Sequence, residues 1–315
     1  MQPSNSTTLN SATLSSTFTS TTPASTAPLS TTPASAAPAS TTPIVAGSSG
    51  LISVYDPDPL FVLKGYKVWQ GRRYVRCFQP ADNSKAALNV EHAVYQRLGS
   101  HPGILKYGGR VAVADNVYFL KLERAEGDLR SLMPRYSIPP DQARLRMAIQ
   151  IASSISYLHS KGIFHCDLSC RNVFLFHDWV VKVGDFGGSK IDSQYPLAAE
   201  EVRYELPLRG RDWEKRSYVK RELFALECAI YEIMAWERPF PELTDAEVEA
   251  NYKRETFPIV DGLPAGDIIH SCWKEEFERA EDVEAALRRE IGRESGLGAW
   301  NASAHLKGLF DWIFR

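Results

Sequence analysis

The stretch His165–Gly187, HCDLSCRNVFLFHDWVVKVGDFG, constrains the fold and chemistry of this 315-residue chain more than any other segment. It contains two short polar turns, one with Asp167 and Asn172 and the other with Asp185, separated by apolar residues in the pattern of a β-hairpin. Phosphoryl transfer needs one carboxylate to orient a hydroxyl nucleophile, and an amide and a second carboxylate to bind divalent metal at the phosphates of a nucleotide. The spacing of these three side chains therefore indicates a phosphotransfer site.

The same stretch resembles the catalytic loop and the metal-binding loop of the protein kinase family, in which H-R-D-L-x-x-x-N is followed by D-F-G. The resemblance implies that Asp167 orients the substrate hydroxyl and accepts its proton late in the reaction. It also implies that Asn172 and Asp185 bind Mg²⁺ and that ATP is the phosphate donor. The acceptor is then a hydroxyl group of a protein substrate, on Ser, Thr or Tyr.

The order of the expected elements agrees with that family. β-like segments around one helical segment occupy residues 44–123, whereas the apolar residues from Asp141 onward recur with the period of helices. We therefore expect an α+β, two-lobed protein kinase-like fold, with a small β-rich N-lobe (44–123) that contains one αC helix and a larger, mainly helical C-lobe (126–291). The expected strands are 52–55, 60–63, 73–78, 111–113 and 117–122, and the expected helices are 89–98, 141–158, 223–233, 245–252, 267–273 and 280–291, with Asp141 as an N-cap.

The two ends of the chain differ from this domain in composition. Residues 1–43 consist almost entirely of Ser, Thr, Pro and Ala, without one charged residue. Such a segment cannot bury enough apolar area to offset the entropy of ordering, so we expect it to be disordered. Residues 292–315 end in an apolar cluster after Leu306, and we expect this extension to pack on the C-lobe.

The composition also bears on partners and compartment. A net charge of −2 gives no electrostatic reason to bind nucleic acid or an anionic membrane. Five cysteines at irregular spacing argue against a disulfide framework and favour a reducing compartment. Because the chain has neither a run of about eighteen apolar residues nor a secretory signal, we expect an intracellular monomer, cytoplasmic or nuclear.

Several residues before the catalytic stretch are similar to the nucleotide-binding parts of the family. Gly47 and Gly50 match the last two glycines of the G-x-G-x-x-G turn, with Val45 in place of the first. Lys64 ends a segment that resembles the V-A-I-K strand, so the resemblance implies that it contacts the ATP phosphates. Glu91 stands where the αC helix supplies the carboxylate that pairs with this lysine.

A second segment competes with this assignment. Tyr74–Val75–Arg76 also has the pattern of a strand that carries a cation, and it lies closer to the αC helix. Lys64 is preferred because it follows the glycine turn by one hairpin, and because an ammonium suits the role better than a guanidinium fork. Residues 69–84 are then an insertion in the N-lobe.

The resemblance further assigns the adenine pocket and a hydrophobic column. Leu122 corresponds to the gatekeeper, and the backbone groups of Glu123 and Ala125 to the hinge that binds the adenine edge. Asp128 either reaches the ribose or caps the next helix. The residues expected to sandwich the adenine ring are Ile52, Val62 and Phe174, and the column is expected to stack Tyr95 toward His165 and Phe186.

The chain also departs from the family pattern. Cys166 replaces the arginine that grips a phosphorylated activation loop, so that mode of control is not expected. Ser169 replaces the usual lysine, and the loop is similar to the D-L-A-A-R-N loop of tyrosine kinases. The A-P-E motif lacks its glutamate, while Glu222 and Glu227 replace an aspartate and a glycine of helix αF. We expect these last changes to weaken the scaffold rather than the chemistry.

Three functions are consistent with these residues. The first is an active ATP-dependent protein kinase. The second is a pseudokinase that acts as a nucleotide-binding scaffold, which the missing first glycine and Cys166 favour. The third is a small-molecule phosphotransferase that shares H-x-D-x-x-x-x-N, but the D-F-G motif and the pair Cys272–Trp273 argue against it.

Overall fold

The computed structural model describes residues 41–47, 50–65, 69–70, 73–74, 83–114 and 117–293, and the side chains of 52–65, 84–112 and 118–293. In this part of the chain a β-sheet precedes a mainly helical region, so the predicted two-lobed α+β architecture is confirmed. We call residues 41–123 the N-lobe and residues 126–293 the C-lobe.

The N-lobe contains the strands β1–β5, the helix α1, and the strands β6 and β7. Their bounds are Thr41–Gly47 (β1), Gly50–Tyr55 (β2), Phe61–Gly65 (β3), Trp69–Gln70 (β4), Arg73–Tyr74 (β5), Asn83–Leu98 (α1), Tyr107–Ala114 (β6) and Val117–Glu123 (β7). Five strands form an antiparallel sheet in the order β1-β2-β3-β7-β6, and β4 pairs with β5.

The N-lobe elements differ from the sequence-based expectation at their ends. β1 begins at Thr41 and pairs with Tyr55 of β2, three residues before the expected start of the domain. Helix α1 begins at Asn83, six residues before the expected start. The strand expected at 73–78 is present at Arg73–Tyr74, and residues 75–80 lie outside the described residues.

The C-lobe contains β8–β12 and α2–α7. Their bounds are Gly127–Asp128 (β8), Leu129–Leu132 (α2), Asp141–Ser160 (α3), Ile163–Phe164 (β9), Val173–Phe176 (β10), Val180–Val183 (β11), Lys190–Ile191 (β12), Tyr218–Ala235 (α4), Asp245–Lys253 (α5), Gly266–Trp273 (α6) and 280–293 (α7). Short 3₁₀ turns occur at Phe186–Gly188 and Val202–Tyr204. The helices expected in the C-lobe are therefore present, and the largest difference is at α4, which begins at Tyr218 where residue 223 was expected.

Helices α3 and α4 form the centre of the C-lobe. Every residue of α4 from Arg221 to Met234 is buried, as expected for a helix surrounded by protein on all sides. α3 buries one apolar stripe from Leu145 to Leu158 against the lobe. Its expected N-cap is wrong, because Pro140 occupies the cap position and the Asp141 carboxylate instead contacts Arg144 one turn later.

The connection between α1 and β6 ties the two lobes together. The N–H group of Leu105 donates to the carbonyl of Val183 (3.0 Å), and the Val183 N–H donates to the Gly103 carbonyl (2.8 Å). The Tyr157 hydroxyl of α3 donates to the Leu98 carbonyl at the end of α1 (2.5 Å). The end of α1 is thereby fixed against β11, the strand that leads into Asp185.

Across the described residues, no helix combines the length and apolar character needed to cross a membrane.

Candidate active site

The strand register places the nucleotide-facing residues on one face of the N-lobe sheet. Ile52 of β2 lies opposite Lys64 of β3, and Val62 of β3 lies opposite Leu122 of β7. Residues directly opposite each other, and residues two apart in one strand, share a face of the sheet. Ile52, Val62, Lys64 and Leu122 therefore point to the same side, with Lys64 only 5% exposed.

Lys64 makes ion pairs with carboxylates from two other elements. Its Nζ lies 2.7 Å from Glu91 Oε2 of α1 and 2.6 Å from Asp185 Oδ1, two residues beyond β11. Burial by itself lowers the pKa of Lys64, but the charges of Asp185 and Glu91 outweigh it, and the pKa is raised. Burial raises the pKa of Glu91 to about 7, against the lowering effect of Lys64. The ammonium is thus held charged at the point where β3, α1 and the D-F-G turn meet.

A column of stacked rings fixes α1 relative to this turn. The Tyr95 ring of α1 meets Phe186 edge-on, with centroids 5.1 Å apart, and stacks on Tyr107 of β6 at 5.1 Å. His165 lies 5.3 Å from Phe186 on the other side. The predicted stacking of Tyr95, Phe186 and His165 is present, and Tyr107 is a fourth member that the sequence did not indicate.

The catalytic loop is closed on itself by short polar contacts. The Asn172 Nδ2 donates to the backbone oxygen of Asp167 (2.6 Å) and to its Oδ2 (3.2 Å). The His165 Nδ1 accepts from the Asp167 N–H (3.3 Å), so its Nε2 carries the proton donated to the Gly184 carbonyl (3.1 Å). The Gly184 N–H in turn donates to the Asn172 carbonyl (3.0 Å), which brings the two polar turns side by side.

The charge state of Asp167 reflects this enclosure. Burial raises the pKa of the Asp167 carboxyl, and the charge of Asp185 raises it further. His165, the hydrogen bond from Asn172 and the charge of Arg171 act in the opposite direction. The two carboxylates stand on turns joined by the Gly184–Asn172 hydrogen bond, which accounts for the effect of Asp185 on Asp167.

The Glu222 side chain of α4 binds the backbone of the catalytic loop. Its Oε1 accepts the N–H groups of His165 and, at 3.2 Å, of Cys166, while its Oε2 contacts His159 Nε2 of α3. Cys166 has a φ of 62°, a conformation that costs a non-glycine residue energy and needs such support. The expectation that Glu222 weakens the scaffold is therefore wrong, because its longer side chain reaches both the loop and a third element.

Asn172 and Asp185 fit a magnesium site by their chemistry. Both can supply oxygen, the donor that a hard cation prefers, and Asn172 turns its Nδ2 toward Asp167, which leaves its Oδ1 available as a donor to a cation. Within the described residues, no cluster of three or more His, Cys, Asp or Glu side chains could hold a metal alone. Magnesium bound through one or two protein oxygens takes its other ligands from water and substrate phosphates.

The hinge offers one backbone donor between two occupied ones. The Arg124 N–H donates to the Leu60 carbonyl (2.7 Å) and the Glu126 N–H to the Leu175 carbonyl (2.9 Å). Among the described residues, no hydrogen bond involves the Ala125 N–H between them. The Glu123 N–H donates to the Lys106 carbonyl (2.9 Å), so a contact from Glu123 to adenine would need its carbonyl.

The Glu123 side chain has a role that sequence reasoning missed. Its Oε1 accepts from the Lys106 N–H of the N-lobe (2.6 Å), and both its oxygens pair with the Lys182 Nζ of β11 (2.7 and 2.9 Å). The carboxylate is only 15% exposed and the lysine 19%. It therefore braces the two lobes behind the hinge.

The remaining predicted site residues are placed around this centre. Asp128 caps α2, because its Oδ1 accepts the Ser131 N–H at 2.9 Å. Phe174 of β10 pairs with Asp128 in the sheet and, like Val62, packs against the core from a half-buried position. Gly47 and Gly50 are paired at the ends of β1 and β2. Residues 48–49 of that turn and the competing Arg76 lie outside the described residues.

The sequence patterns also did not predict a cluster of charged side chains in the C-lobe near the catalytic loop. Arg130 of α2 pairs with Glu232 of α4 at 2.8 Å and with Glu201 at 2.9 Å. Near the degraded A-P-E motif, Arg209 and Arg211 both pair with Glu275, at 2.5 and 2.6 Å. These contacts fix the segment after the D-F-G turn to the C-lobe.

Comparison with known proteins agrees with this geometry. The family model of the protein kinase domain matches residues 62–314. The chain is 29% identical over 210 residues to serine/threonine-protein kinase 12 of Arabidopsis thaliana, which covers 62% of this chain and 45% of that protein. It is 24% identical over 190 residues to serine/threonine-protein kinase PKH2 of Saccharomyces cerevisiae (56% and 18%), and 28% identical over 161 residues to serine/threonine-protein kinase Nek3 of Mus musculus (50% and 32%). The chain spans less than half the length of each of these relatives.

Proposed function

The chain belongs to the protein kinase family, and we propose that it is an active kinase that transfers the γ-phosphate of ATP to a hydroxyl group of a protein substrate. The observation that carries this proposal is the double ion pair of Lys64 with Glu91 and Asp185. Phosphoryl transfer by this family needs the strand lysine, the αC carboxylate and the D-F-G aspartate in place together. In this chain the Lys64 Nζ lies within 3 Å of a carboxylate oxygen of Glu91 and of Asp185.

We assign the nucleotide to the space between the sheet and the hinge. Ile52, Val62 and Leu122 supply apolar contacts from the N-lobe face, and Phe174 supplies them from the C-lobe. The Ala125 N–H is the donor proposed for the adenine edge. Lys64 is proposed to contact the phosphates, where Glu91 keeps its ammonium aimed.

In the transfer step the residues of the site position the reacting groups, and Asp167 accepts a proton. The oxygen of the substrate hydroxyl forms a bond to the γ-phosphorus while the bond to the bridging β–γ oxygen breaks, and ADP leaves. Asp167 accepts the hydroxyl hydrogen in a hydrogen bond and takes the proton late, so orientation matters more than basicity. Mg²⁺ bound by Asn172 and Asp185 would neutralise the charge on the phosphates.

The pseudokinase stays the second candidate because Val45 and Cys166 depart from the family pattern. The assembled Lys64, Glu91 and Asp185 oppose it. The names of the relatives describe serine/threonine kinases, whereas Ser169 and Arg171 follow the tyrosine kinase loop, so the acceptor is assigned only as a protein hydroxyl. The four cysteines among the described residues are buried free thiols, which supports the proposal of a reducing, intracellular compartment.

A transfer assay on the full chain tests the proposal. The purified protein is incubated with γ-labelled ATP, Mg²⁺ and a panel of generic proteins and small-molecule alcohols, and phosphoamino acids are analysed. Label on protein Ser, Thr or Tyr supports an active kinase and identifies the acceptor. ATP binding without labelled protein would point to the pseudokinase, and label on small molecules alone to the third candidate.

A further inference from the structure

We call residues 188–208, which follow the D-F-G turn, the activation segment. One of its residues, Glu200, forms a buried ion pair with Arg221 of helix α4. The Oε2 of Glu200 lies 2.6 Å from Arg221 Nη2, with only 3% and 2% of the two side chains exposed. Arg221 is in the first turn of α4, directly before the loop anchor Glu222. The pair therefore joins the activation segment to the helix that supports the catalytic loop.

Cys166, which stands in place of the family arginine, is joined to the residue after Arg221, because the Cys166 N–H donates to Glu222 Oε1 (3.2 Å). Burial raises the pKa of the Cys166 thiol, the charges of Glu222 and Glu200 raise it further, and the charge of Arg221 lowers it. The Arg221 guanidinium also lies 4.6 Å from the Trp213 ring and 5.1 Å from the Tyr218 ring, so its position is fixed by aromatic neighbours.

The next residue fixes the activation segment from its other side. Glu201 pairs with Arg130 of α2 at 2.9 Å and with Arg171 of the catalytic loop at 2.9 Å. Two consecutive carboxylates thus bind arginines on opposite sides of the segment. A phosphorylated activation loop is ordered in the same chemical way, by arginines that bind added negative charge.

We propose that Glu200 and Arg221 are positioning residues that replace the usual arginine–phosphate contact, so that the activation segment is ordered without phosphorylation. Cys166 is small enough to leave room, Arg221 supplies the cation from α4, and Glu200 supplies a permanent anion. This inference rests on the proposed kinase function and concerns its regulation. It implies that catalysis needs the Glu200 carboxylate and needs no phosphate on the segment.

The first test removes the acceptor hydroxyls of the activation segment. Ser193 and Tyr195 are exposed, Tyr195 by 87%, whereas Ser189 and Tyr204 are buried. The full chain with Ser193→Ala and Tyr195→Phe, treated with phosphatase and verified by mass spectrometry, should transfer phosphate within about twofold of the untreated wild type. A loss of tenfold or more upon dephosphorylation of the wild type, reversed by rephosphorylation, would overturn the proposal.

The second test removes the anion. Glu200→Gln should lower kcat/KM for the protein substrate by at least tenfold while the KM for ATP changes less than about twofold, because the Lys64 pocket is untouched. Glu200→Asp, which keeps the carboxylate, should retain more activity than Glu200→Gln. The control Glu249→Gln removes a carboxylate from the exposed Lys253 pair of α5 and should match the wild type. Equal losses in Glu200→Asp and Glu200→Gln, or a parallel loss of ATP binding, would show a merely structural role.

A third measurement separates this inference from the proposed function. Hydrogen exchange of residues 192–205 is measured on the dephosphorylated full chain without nucleotide or substrate. Protection in the wild type and its loss in Glu200→Gln support the positioning role even if no kinase activity is found. Equal exchange in the two proteins would contradict it, whatever the transfer assay shows.

Discussion

Lys64 has two carboxylate partners, the buried Glu91 and the partly exposed Asp185, and this explains why a lysine stands there and not an arginine. A compact ammonium can donate to both Glu91 and Asp185 within 3 Å, whereas a planar guanidinium would bind one carboxylate bidentately. The arrangement also has a cost, because three charges are removed from water together. In a scaffold without nucleotide chemistry, nothing would offset the desolvation cost of such a cluster.

The first prediction concerns this lysine. Lys64→Met should lower the rate of phosphate transfer on the order of 10²–10³-fold, because it removes one preorganised charge from the transition state. Initial rates at saturating ATP and Mg²⁺ measure the effect. Lys85→Met, at an exposed position of α1, is the matched control and should keep its rate. Loss of ATP binding in Arg76→Ala with normal binding in Lys64→Met would instead favour the competing strand.

Glu227 is a second charged residue in an unusual environment. It is fully buried in α4, and among the described residues its carboxylate has no hydrogen-bond partner other than the weakly donating Cys272 thiol. Burial raises the pKa of Glu227 well above 4.5. The folded protein therefore keeps the proton at pH values where the unfolded chain has lost it.

This difference gives a pH-dependent stability with a definite sign. Above about pH 4.5 the folded state binds more protons at Glu227 than the unfolded chain does. The contribution of Glu227 to the free energy of unfolding therefore falls as pH rises, by at most ~1.4 kcal/mol per pH unit. Glu227→Gln cannot ionise, so its stability relative to the wild type should increase from pH 5 to pH 8 in denaturant titrations. A difference between the two proteins that stays constant over this range would show that Glu227 ionises normally.

The roles of some residues could be predicted from the sequence, and the roles of others could not. Lys64, Glu91, Asp167, Asn172 and Asp185 stand in short motifs whose spacing carries information. Partners such as Arg130 and Glu232 are 102 residues apart, and no local pattern links them. Residues that work through distant partners become recognisable only when the fold brings them together.

At the scale of elements, α4 is the support on which the catalytic loop rests. Its residues Glu222, Glu227 and Glu232 are all buried, and two of them bind other elements. Glu222 accepts two backbone N–H groups that would otherwise be buried without a partner. The orientation of Asp167 therefore depends on a helix that contributes nothing to the chemistry itself.

For this helix we predict that one substitution lowers both the stability and the transfer activity of the protein. Glu222→Ala should lower the free energy of unfolding by roughly 3 kcal/mol, because the N–H groups of His165 and Cys166 lose their acceptor. Transfer activity of the remaining folded protein should also fall. Equilibrium denaturation and rate measurements check both effects, with the exposed Glu237→Ala as control. A normal rate in a destabilised Glu222→Ala protein would show that the loop does not need this anchor.

Among the elements, existence and type were more predictable than bounds. Leu88 already belongs to the buried face of α1, but the turn before it opens with Asn83, Ser84 and Lys85, so the apolar period does not mark where the helix begins. The N-cap at Asp141 was misplaced for a related reason, because an acidic residue after two prolines fits both the cap and the first helical position. Helix ends depend on tertiary contacts that sequence patterns do not contain.

At the scale of the whole molecule, the two lobes are joined behind the hinge as well as through it. The Glu123 carboxylate binds Lys106 of one lobe and Lys182 of the other, in a largely enclosed position. We expect such a brace to limit how far the two lobes open. No local pattern indicates this contact, and Glu123 was expected to act through its backbone.

A double-mutant cycle measures this brace. Glu123→Gln and Lys182→Met should each destabilise the protein, and their combination should be less destabilising than the sum, with a coupling of about 1 kcal/mol. Urea denaturation of the four proteins gives the value. The exposed pair Glu249–Lys253 of α5 provides the control cycle and should show a clearly smaller coupling. Additive effects of Glu123→Gln and Lys182→Met would mean that the two side chains do not interact in solution.

The most direct measurement compares wild type and Asp167→Asn for two quantities, the Kd for ATP in the presence of Mg²⁺ and the rate of phosphate transfer to protein. Asp167 is assigned only to the hydroxyl, so the variant should keep the Kd within about threefold and lose transfer by at least 10³-fold. Equal transfer by the two proteins would contradict the account, since the carboxylate at its centre would then play no part.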